Sequence, residues 1–398
     1  MRSLGRIPSA TGSSSNLVVE ASADEFRAGF AAALAGRRDV FLGNPAWSAA
    51  ERTAADAIAN QAGPAAGDRG WLMIPTGGSS GSIRFARHDG ATIAAAVQGF
   101  TSHFGLGKVN VFGVLPLFHV GGLMAWMRNV LTGGDFLAGD WREISSGVLP
   151  IPPERTDGWL LSLVPTQLER LLARADGLDW LHRFRVILVG GAPAWSSLLD
   201  RAAEASLPVS VGYGMTETAA MVSAVRPEDF LRGDRSSGRA LPHAHIAVGA
   251  DGVIAITGES VCRGYFPDFS AGRSFVTEDL GSIDENRRLH VLGRRDGVII
   301  TGGEKVFPDE VEAALRATGQ FTDVVVVGLP HREWGQEVVA AYASGQEPDL
   351  ARVQATLLAA LAKFKHPKRY IALSDWPRSD NGKVRRSEII RSLAGSIA

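Results

Sequence analysis

Residues 209–218 read Val-Ser-Val-Gly-Tyr-Gly-Met-Thr-Glu-Thr. The apolar start, Val209–Val211, is a buried-strand pattern. It leads directly to Tyr213, Thr216, Glu217 and Thr218, so a ring, hydroxyls and a carboxylate meet at the strand's carboxyl end. In an open α/β sheet that end is where ligands bind. Upstream, similar runs recur at Val109–Leu115, Trp159–Val164 and Val186–Val189, alternating with helically spaced segments such as Pro165–Arg174 and Ser196–Ala205. The alternation predicts an α/β fold with a largely parallel sheet. Before it, an Ala-rich stretch of helical spacing (Phe26, Phe30, Leu34, then Ala49 to Ile58) leads through Gly63-Pro64 to a strand at Trp71–Pro75. From about Ile246 the pattern shortens to alternating strands with turns at Ala250-Asp251-Gly252 and Asp284-Glu285-Asn286, a small β-rich subdomain. The remainder carries a strand at Val324–Val327, a helix at Asp349–Ala362 and a basic tail, enough for a small α+β domain. These shifts divide the chain near Asp296 into residues 1–294 and 295–398.

The chain has 398 residues, 45% hydrophobic and 21% charged, the balance of a globular protein with room for more than one lobe. Its 41 Lys and Arg offset 42 Asp and Glu for a formal net charge of -1, so no global field recruits nucleic acid or an anionic membrane. An anionic ligand must then be met by local groups. Cys262, the only cysteine, can form neither an internal disulfide nor a thiolate metal cluster, which points to a reduced, cytoplasmic setting. The most apolar window, Val109–Trp126, is interrupted by Asn110, Pro116 and His119, so no membrane span is expected. The first twenty residues lack the apolar core of a secretory signal, while their serines leave a transit segment as an alternative.

Four further stretches carry candidate chemistry. Thr76-Gly77-Gly78-Ser79-Ser80-Gly81-Ser82-Ile83-Arg84 follows a strand with three Gly and three Ser, so backbone N–H groups and hydroxyls can both approach a phosphate; a plain flexible turn is the alternative. It matches neither the GxxxxGK[ST] loop nor GxGxxG. Glu217 suits Mg²⁺, or simply the favourable end of a helix dipole. His119 lies in Leu115-Pro116-Leu117-Phe118-His119-Val120-Gly121-Gly122, as a hydrogen-bonded core residue or a catalytic one, and Arg128, nine residues on in an apolar run, needs an anionic partner, structural or substrate. Lys383 follows the tight turn at Asp380-Asn381-Gly382, either ordinary and exposed or reaching into a cleft. Between Lys363 and Arg391 nine Lys/Arg face three Asp/Glu, a solvated surface or a phosphate-facing one.

Taken in order from Trp71 to Lys383, these segments resemble the adenylate-forming superfamily of acyl-CoA synthetases, luciferases and peptide-synthetase adenylation domains. The resemblance implies a large N-terminal domain with a mobile C-terminal one, and ATP, Mg²⁺ and coenzyme A acting on a small-molecule carboxylate. It implies an ATP site of Thr76, Gly77, Gly78, Ser79, Ser80, Gly81 and Arg84 on the phosphates, with Gly191, Ala192 and Pro193 along the adenine. To these it adds Tyr213 stacked on the adenine beside Gly214, Thr216 on the α-phosphate, Asp279 and Arg294 on the ribose, and Glu217 on Mg²⁺. His119, Arg128 and Gly212 fall on the acyl pocket, Asp296 on the hinge, Gly302 and Gly303 on the coenzyme A step, and Lys383 on the adenylation lysine. The chain departs from the usual pattern at Ile83-Arg84, where Pro-Lys is common, at Gly77-Gly78-Ser79-Ser80-Gly81, and at Glu278. Its shortness, Ser162-Leu163-Val164-Pro165-Thr166-Gln167-Leu168, and the spacing of Phe118-His119 to Met127-Arg128 are similar to 2-succinylbenzoate:CoA ligases of menaquinone and phylloquinone synthesis. Other aryl- or acyl-CoA ligases, carrier-protein acylation and a non-catalytic nucleotide-binding scaffold are the alternatives. The oligomeric state stays open, a homodimer among the choices.

Overall fold

A computed structural model describes residues 17–19, 22–35, 39–61, 70–77, 83–378 and 384–395. Its largest sheet has seven strands in the order Arg239–Ala240, Ala220–Ala224, Val209–Met215, Val186–Val189, Leu160–Leu163, Val111–Gly113 and Phe136–Ala138. The five from Val209–Met215 onward are parallel, and the other two close the edge antiparallel. The α/β reading therefore holds. The parallel strands are apolar because helices cover both faces. On one face Phe112, Leu161, Ile187 and Val209 pack with Leu168, Leu198 and Trp180 of neighbouring helices; on the other Val111, Leu160 and Leu188 pack with Phe100 and Ala125.

Local chemistry sets the helix bounds. Asp89 caps the helix Gly90–Phe104 by accepting from the Thr92 N–H at 2.7 Å, and Gly105 ends it at φ 63°. Pro165 opens the helix Pro165–Leu172, where Gln167 accepts from the Val164 N–H at 3.0 Å. Asp349, expected inside a helix, caps the helix Leu350–Ala360 instead.

A second sheet joins Leu17–Val18, Val40–Leu42, Leu72–Gly77 and Ile83–His88. Its last pair is antiparallel, with Thr76 opposite Arg84 and Gly77 opposite Ile83. The stretch 76–84 expected as a loop is thus a hairpin at both ends, because cross-strand pairing wins over its Gly/Ser composition; residues 78–82, with Gly78, Ser79, Ser80 and Gly81, lie outside the described residues. The β-rich subdomain is an antiparallel sheet of Ala244–Val248, Val253–Gly258, Ser274–Ile283 and Leu289–Arg294. The last sheet, Glu304–Val306, Ile299–Thr301, Gly335–Ala343, Val324–His331 and Arg369–Leu373, has its own apolar layers, one under the helices Pro308–Ala317 and Leu350–Ala360 and one under Arg386–Gly395. It meets the rest of the chain where the Arg316 guanidinium lies 4.9 Å from the ring centroid of Trp195. Among the described residues no helix is long and apolar enough to cross a membrane.

Candidate active site

The strand Val209–Met215 runs further than its apolar start implies. It continues through Tyr213 and Gly214 because Ala220–Ala224 pairs back on it after a tight turn with Ala219 and Ala220 at φ 51° and 73°. This close return explains Gly214, where a Cβ would sit 1.8 Å from the Ala220 carbonyl oxygen. A Cβ on Gly212 would sit 2.5 Å from Met221 Cε, so that glycine makes room for a side chain of the returning strand. Residues 211–217 are all half-buried, unlike the closed strand before them, so one central strand end borders open space.

Two hydrogen-bonded chains converge there. The Tyr213 hydroxyl donates to Asp279 Oδ2 at 2.6 Å, and the cross-strand partner of Asp279 is Arg294, whose Nη1 lies 3.9 Å from Asp279 Oδ1. Arg294 in turn holds Asp296 through two bonds of 2.8 and 2.9 Å. Burial and the neighbouring Asp279 carboxylate drive the Tyr213 phenol far above its ordinary value, so it stays a donor. In the second chain the Tyr265 hydroxyl donates to Glu217 Oε1 at 2.7 Å, while the Arg84 guanidinium stacks 3.6 Å from the Tyr265 ring centroid. His88, fully buried, donates from Nε2 to the Thr216 carbonyl oxygen at 2.8 Å, and desolvation lowers its pKa to about 4, which keeps it neutral. The Cys262 N–H donates to the Glu217 carbonyl oxygen at 2.7 Å, and Arg263 pairs with Asp89 at 2.8 Å, tying the segment of Tyr265 to the capped helix.

The other sequence candidates fall into place around this end. Gly191, Ala192 and Pro193 form an exposed segment just beyond the strand Val186–Val189, with Gly191 at φ 77°. His119 is the residue before the helix Val120–Thr132, its ring 4.6 Å from that of Phe118. Arg128 lies on the same helix, 5% exposed, its guanidinium 3.9 Å from the Phe100 ring centroid. Among the described residues it forms no ion pair, and burial lowers its pKa to about 9. Gly302 and Gly303 make an exposed turn at φ 57° and 86° between the strands Ile299–Thr301 and Glu304–Val306. Lys383 lies outside the described residues.

Sequence reasoning missed Tyr265, His88 and the Arg263–Asp89 pair, although Gly264 before Tyr265 marked a turn. Among the described residues no group of three or more His, Cys, Asp or Glu could cage a metal ion. A Mg²⁺ at Glu217 would therefore take most of its shell from water and phosphate, which suits that ion, and Glu217 Oε2 lies outside the Tyr265 bond.

A parallel sheet whose polar strand end carries the hydrogen-bonded Tyr213–Asp279 pair is the ligand-binding architecture of an open α/β protein. The chain belongs to the AMP-binding enzyme family: residues 14–266 match the AMP-binding enzyme family itself, and residues 310–383 match the AMP-binding enzyme C-terminal domain. It is 34% identical over 299 residues to a 2-succinylbenzoate–CoA ligase of Geobacillus kaustophilus, covering 70% of this chain and 60% of that protein. It is 31% identical over 345 residues to an indoleacetate–CoA ligase of Aromatoleum aromaticum, covering 81% of this chain and 67% of that protein. Its fold is that of o-succinylbenzoate CoA synthetase from Bacillus subtilis solved with its acyl-adenylate intermediate, at a TM-score of 0.74 and 23% identity over 88% of this chain and 82% of that one. The chain thus spans less than two thirds of the length of the Geobacillus relative.

Proposed function

We propose that the protein is an AMP-forming acid:CoA ligase that converts 2-succinylbenzoate to 2-succinylbenzoyl-CoA, as in menaquinone or phylloquinone synthesis. The observation that carries the ligase reading is the convergence of Tyr213, Asp279, Arg294 and Glu217 on one strand end. The choice of acid is supported by Arg128, a buried cation without an ion-pair partner among the described residues, which a dicarboxylic acid would complement.

In the first step the substrate carboxylate attacks the α-phosphorus of ATP and pyrophosphate leaves. Asp279 accepts from the ribose hydroxyls with Arg294 beside it, Tyr213 offers its ring to the adenine next to Gly191–Pro193, and Thr216 and Gly214 border the α-phosphate. Thr76, Gly77, Arg84 and the intervening Gly78, Ser79, Ser80 and Gly81 are the residues we assign to the outer phosphates. Glu217 would hold a Mg²⁺ that neutralises phosphate charge, and Lys383 supplies the ammonium that stabilises the transition state. His119, opening its helix, borders the acid with Gly212. In the second step the coenzyme A thiol attacks the acyl-adenylate and AMP leaves. We assign this to a rotation of residues 295–398 about Asp296 that withdraws Lys383 and brings in Gly302 and Gly303. The Arg294–Asp296 pair that must yield is about half exposed, so breaking it costs about 1 kcal/mol or less. A second reading, an arylacetate–CoA ligase, is favoured by the greater share of this chain that aligns with the indoleacetate–CoA ligase.

The test is ATP-dependent thioester formation followed by mass spectrometry, with 2-succinylbenzoate, indoleacetate, benzoate, a fatty acid and a no-acid control. Thioester with 2-succinylbenzoate alone supports the proposal. Product with indoleacetate alone moves the assignment to the second reading, and no pyrophosphate release with any acid overturns the ligase.

A further inference from the structure

Thr216 and Glu217, the residues we place on the α-phosphate and on Mg²⁺, sit in a single 3₁₀ turn, Thr216–Thr218, whose closing bond from the Ala219 N–H to the Thr216 carbonyl oxygen is 3.2 Å long. So short a turn with such a bond does little to fix its own orientation. Two outside groups hold it. The His88 imidazole, fully buried, donates from Nε2 to the Thr216 carbonyl oxygen at 2.8 Å, and the Cys262 N–H donates to the Glu217 carbonyl oxygen at 2.7 Å. The two holders are themselves joined: the Arg263 N–H donates to the Arg87 carbonyl oxygen at 2.7 Å, the Arg87 N–H to the Gly264 carbonyl oxygen at 2.9 Å, and the Arg263 guanidinium pairs with Asp89, the cap of the helix Gly90–Phe104. His88 is clamped in turn. It ends the strand Ile83–His88, and its Nδ1 faces the hydroxyl of Thr92, in the first turn of the capped helix, at 3.1 Å.

A buried ring bonded at both nitrogens has one orientation, so its N–H is a fixed point against which the turn is set. The strand that ends at His88 also carries Arg84 near its start, so the residue we place on the outer phosphates and the holder of the Thr216 turn share one rigid element. We propose that His88 is a positioning residue for adenylation: its Nε2–H fixes the Thr216 carbonyl and thereby aims the Thr216 hydroxyl at the α-phosphate and the Glu217 carboxylate at Mg²⁺. It touches neither nucleotide nor metal and acts through the turn. The assignment rests on the ligase reading and deepens it, since it names what orients the groups that reading uses.

The experiment compares the wild-type chain with three variants. In His88→Gln the side-chain amide reaches the place of Nε2 and can donate to Thr216; in His88→Asn the amide matches Nδ1 and stops short; His88→Leu fills the space with no donor. Pyrophosphate release with 2-succinylbenzoate gives the KM for ATP, the KM for the acid and the Mg²⁺ concentration at half-maximal rate, calorimetry gives MgATP binding, and thermal unfolding checks each fold. We expect His88→Leu and His88→Asn to raise the KM for ATP and the Mg²⁺ requirement about 10-fold, the effect of losing a group that orients a ligand from behind. The KM for the acid stays unchanged, and His88→Gln recovers most of the loss. Lower melting temperatures with every KM unmoved would show a histidine that serves the fold alone and overturn the proposal, as would His88→Asn matching His88→Gln or an equal rise in KM for both substrates. Should the leucine and asparagine chains fail to fold, Thr92→Val, which removes the hydroxyl behind Nδ1, carries the test, and an unchanged KM for ATP in that variant overturns the proposal. A wild-type chain that releases no pyrophosphate with any acid overturns the ligase reading, while MgATP binding lost in His88→Leu and recovered in His88→Gln would leave the positioning role standing.

Discussion

The two ends of the site are built on opposite terms. At the end where we place the nucleotide, Asp279, Arg294 and Glu217 already have partners: Tyr213 donates to Asp279, Arg294 lies beside Asp279 and grips Asp296, and Tyr265 donates to Glu217. Between the helices Gly90–Phe104 and Val120–Thr132, where we place the acid, Arg128 is buried with its Nε unpaired among the described residues. A ligand at the first end exchanges one hydrogen bond for another, so affinity there depends on geometry. A ligand at the second end removes a penalty that the empty protein bears, so affinity there depends on charge and on the second carboxylate. The half-exposure of residues 211–217 against the 5% exposure of Arg128 follows the same division.

The contrast is broken most directly at Asp279. Asp279→Ala removes the acceptor we assign to the ribose and leaves the Tyr213 hydroxyl and Arg294 without it, so we expect the KM for ATP to rise about 100-fold, from charge-assisted hydrogen bonds worth about 1.5–3 kcal/mol each. The KM for the acid should not move, and steady-state kinetics with each substrate varied in turn checks both. At the end where we place the acid the expected sign on stability is reversed. Arg128→Met replaces a buried, unpaired cation with an apolar chain of similar length, so the ligand-free protein should gain about 1–3 kcal/mol while losing 2-succinylbenzoate binding. Denaturant unfolding of the free and acid-saturated proteins reads both effects. A less stable Arg128→Met would mean that the guanidinium is satisfied in the folded chain, and the contrast between the two ends would fail.

What could be read from the sequence follows from how local each interaction is. The strand at 209 and the ring, hydroxyls and carboxylate after it are one segment, and the capped or Pro-opened helices carry their own start signals, so these were legible. Tyr213 and Asp279 are 66 residues apart, and Glu217 and Tyr265 are 48 apart. A sequence names such residue types without pairing them, and here resemblance to a family supplied Asp279 but not Tyr265. The stretch 76–84 reads as a loop for the converse reason, its small-residue composition masking the pairing of Thr76 with Arg84.

A smaller effect sharpens the division along the chain. Asp309, in the first turn of the helix Pro308–Ala317, is pushed up to about 6 by burial and then by Glu312, with Arg386 and Arg316 pulling the other way and Asp279 adding repulsion. Because the folded carboxyl holds its proton more tightly than the unfolded one, near pH 4, the folded state is favoured by this group at low pH, and that advantage is lost as pH rises from about 4 through 6. The loss should be about 2–3 kcal/mol. Subtracting the stability profile of Asp309→Asn from that of the wild type isolates it, and a flat difference between pH 4 and 7 would show that Arg386 holds the carboxylate ionised.

The smallest expected effect falls on the Glu217 chain and tests whether the nucleotide end is really governed by geometry. Tyr265→Phe keeps the ring under Arg84 and removes only the hydroxyl that fixes Glu217 Oε1. The carboxylate keeps its charge and loses its orientation, so the KM for ATP should rise about 3- to 10-fold, the worth of about 1 kcal/mol of net hydrogen bond. Arg84→Ala alone removes both the stacking and the cation we place on the outer phosphates. If the Tyr265 ring serves partly to hold Arg84, combining Tyr265→Leu, which removes the ring, with Arg84→Ala should cost less than the two single losses added, because the ring has nothing left to support once the guanidinium is gone. Strict additivity would mean that Tyr265 acts through Glu217 alone, and the two basic and acidic partners of this ring would then be independent contacts rather than one chain running from the hairpin to the strand end.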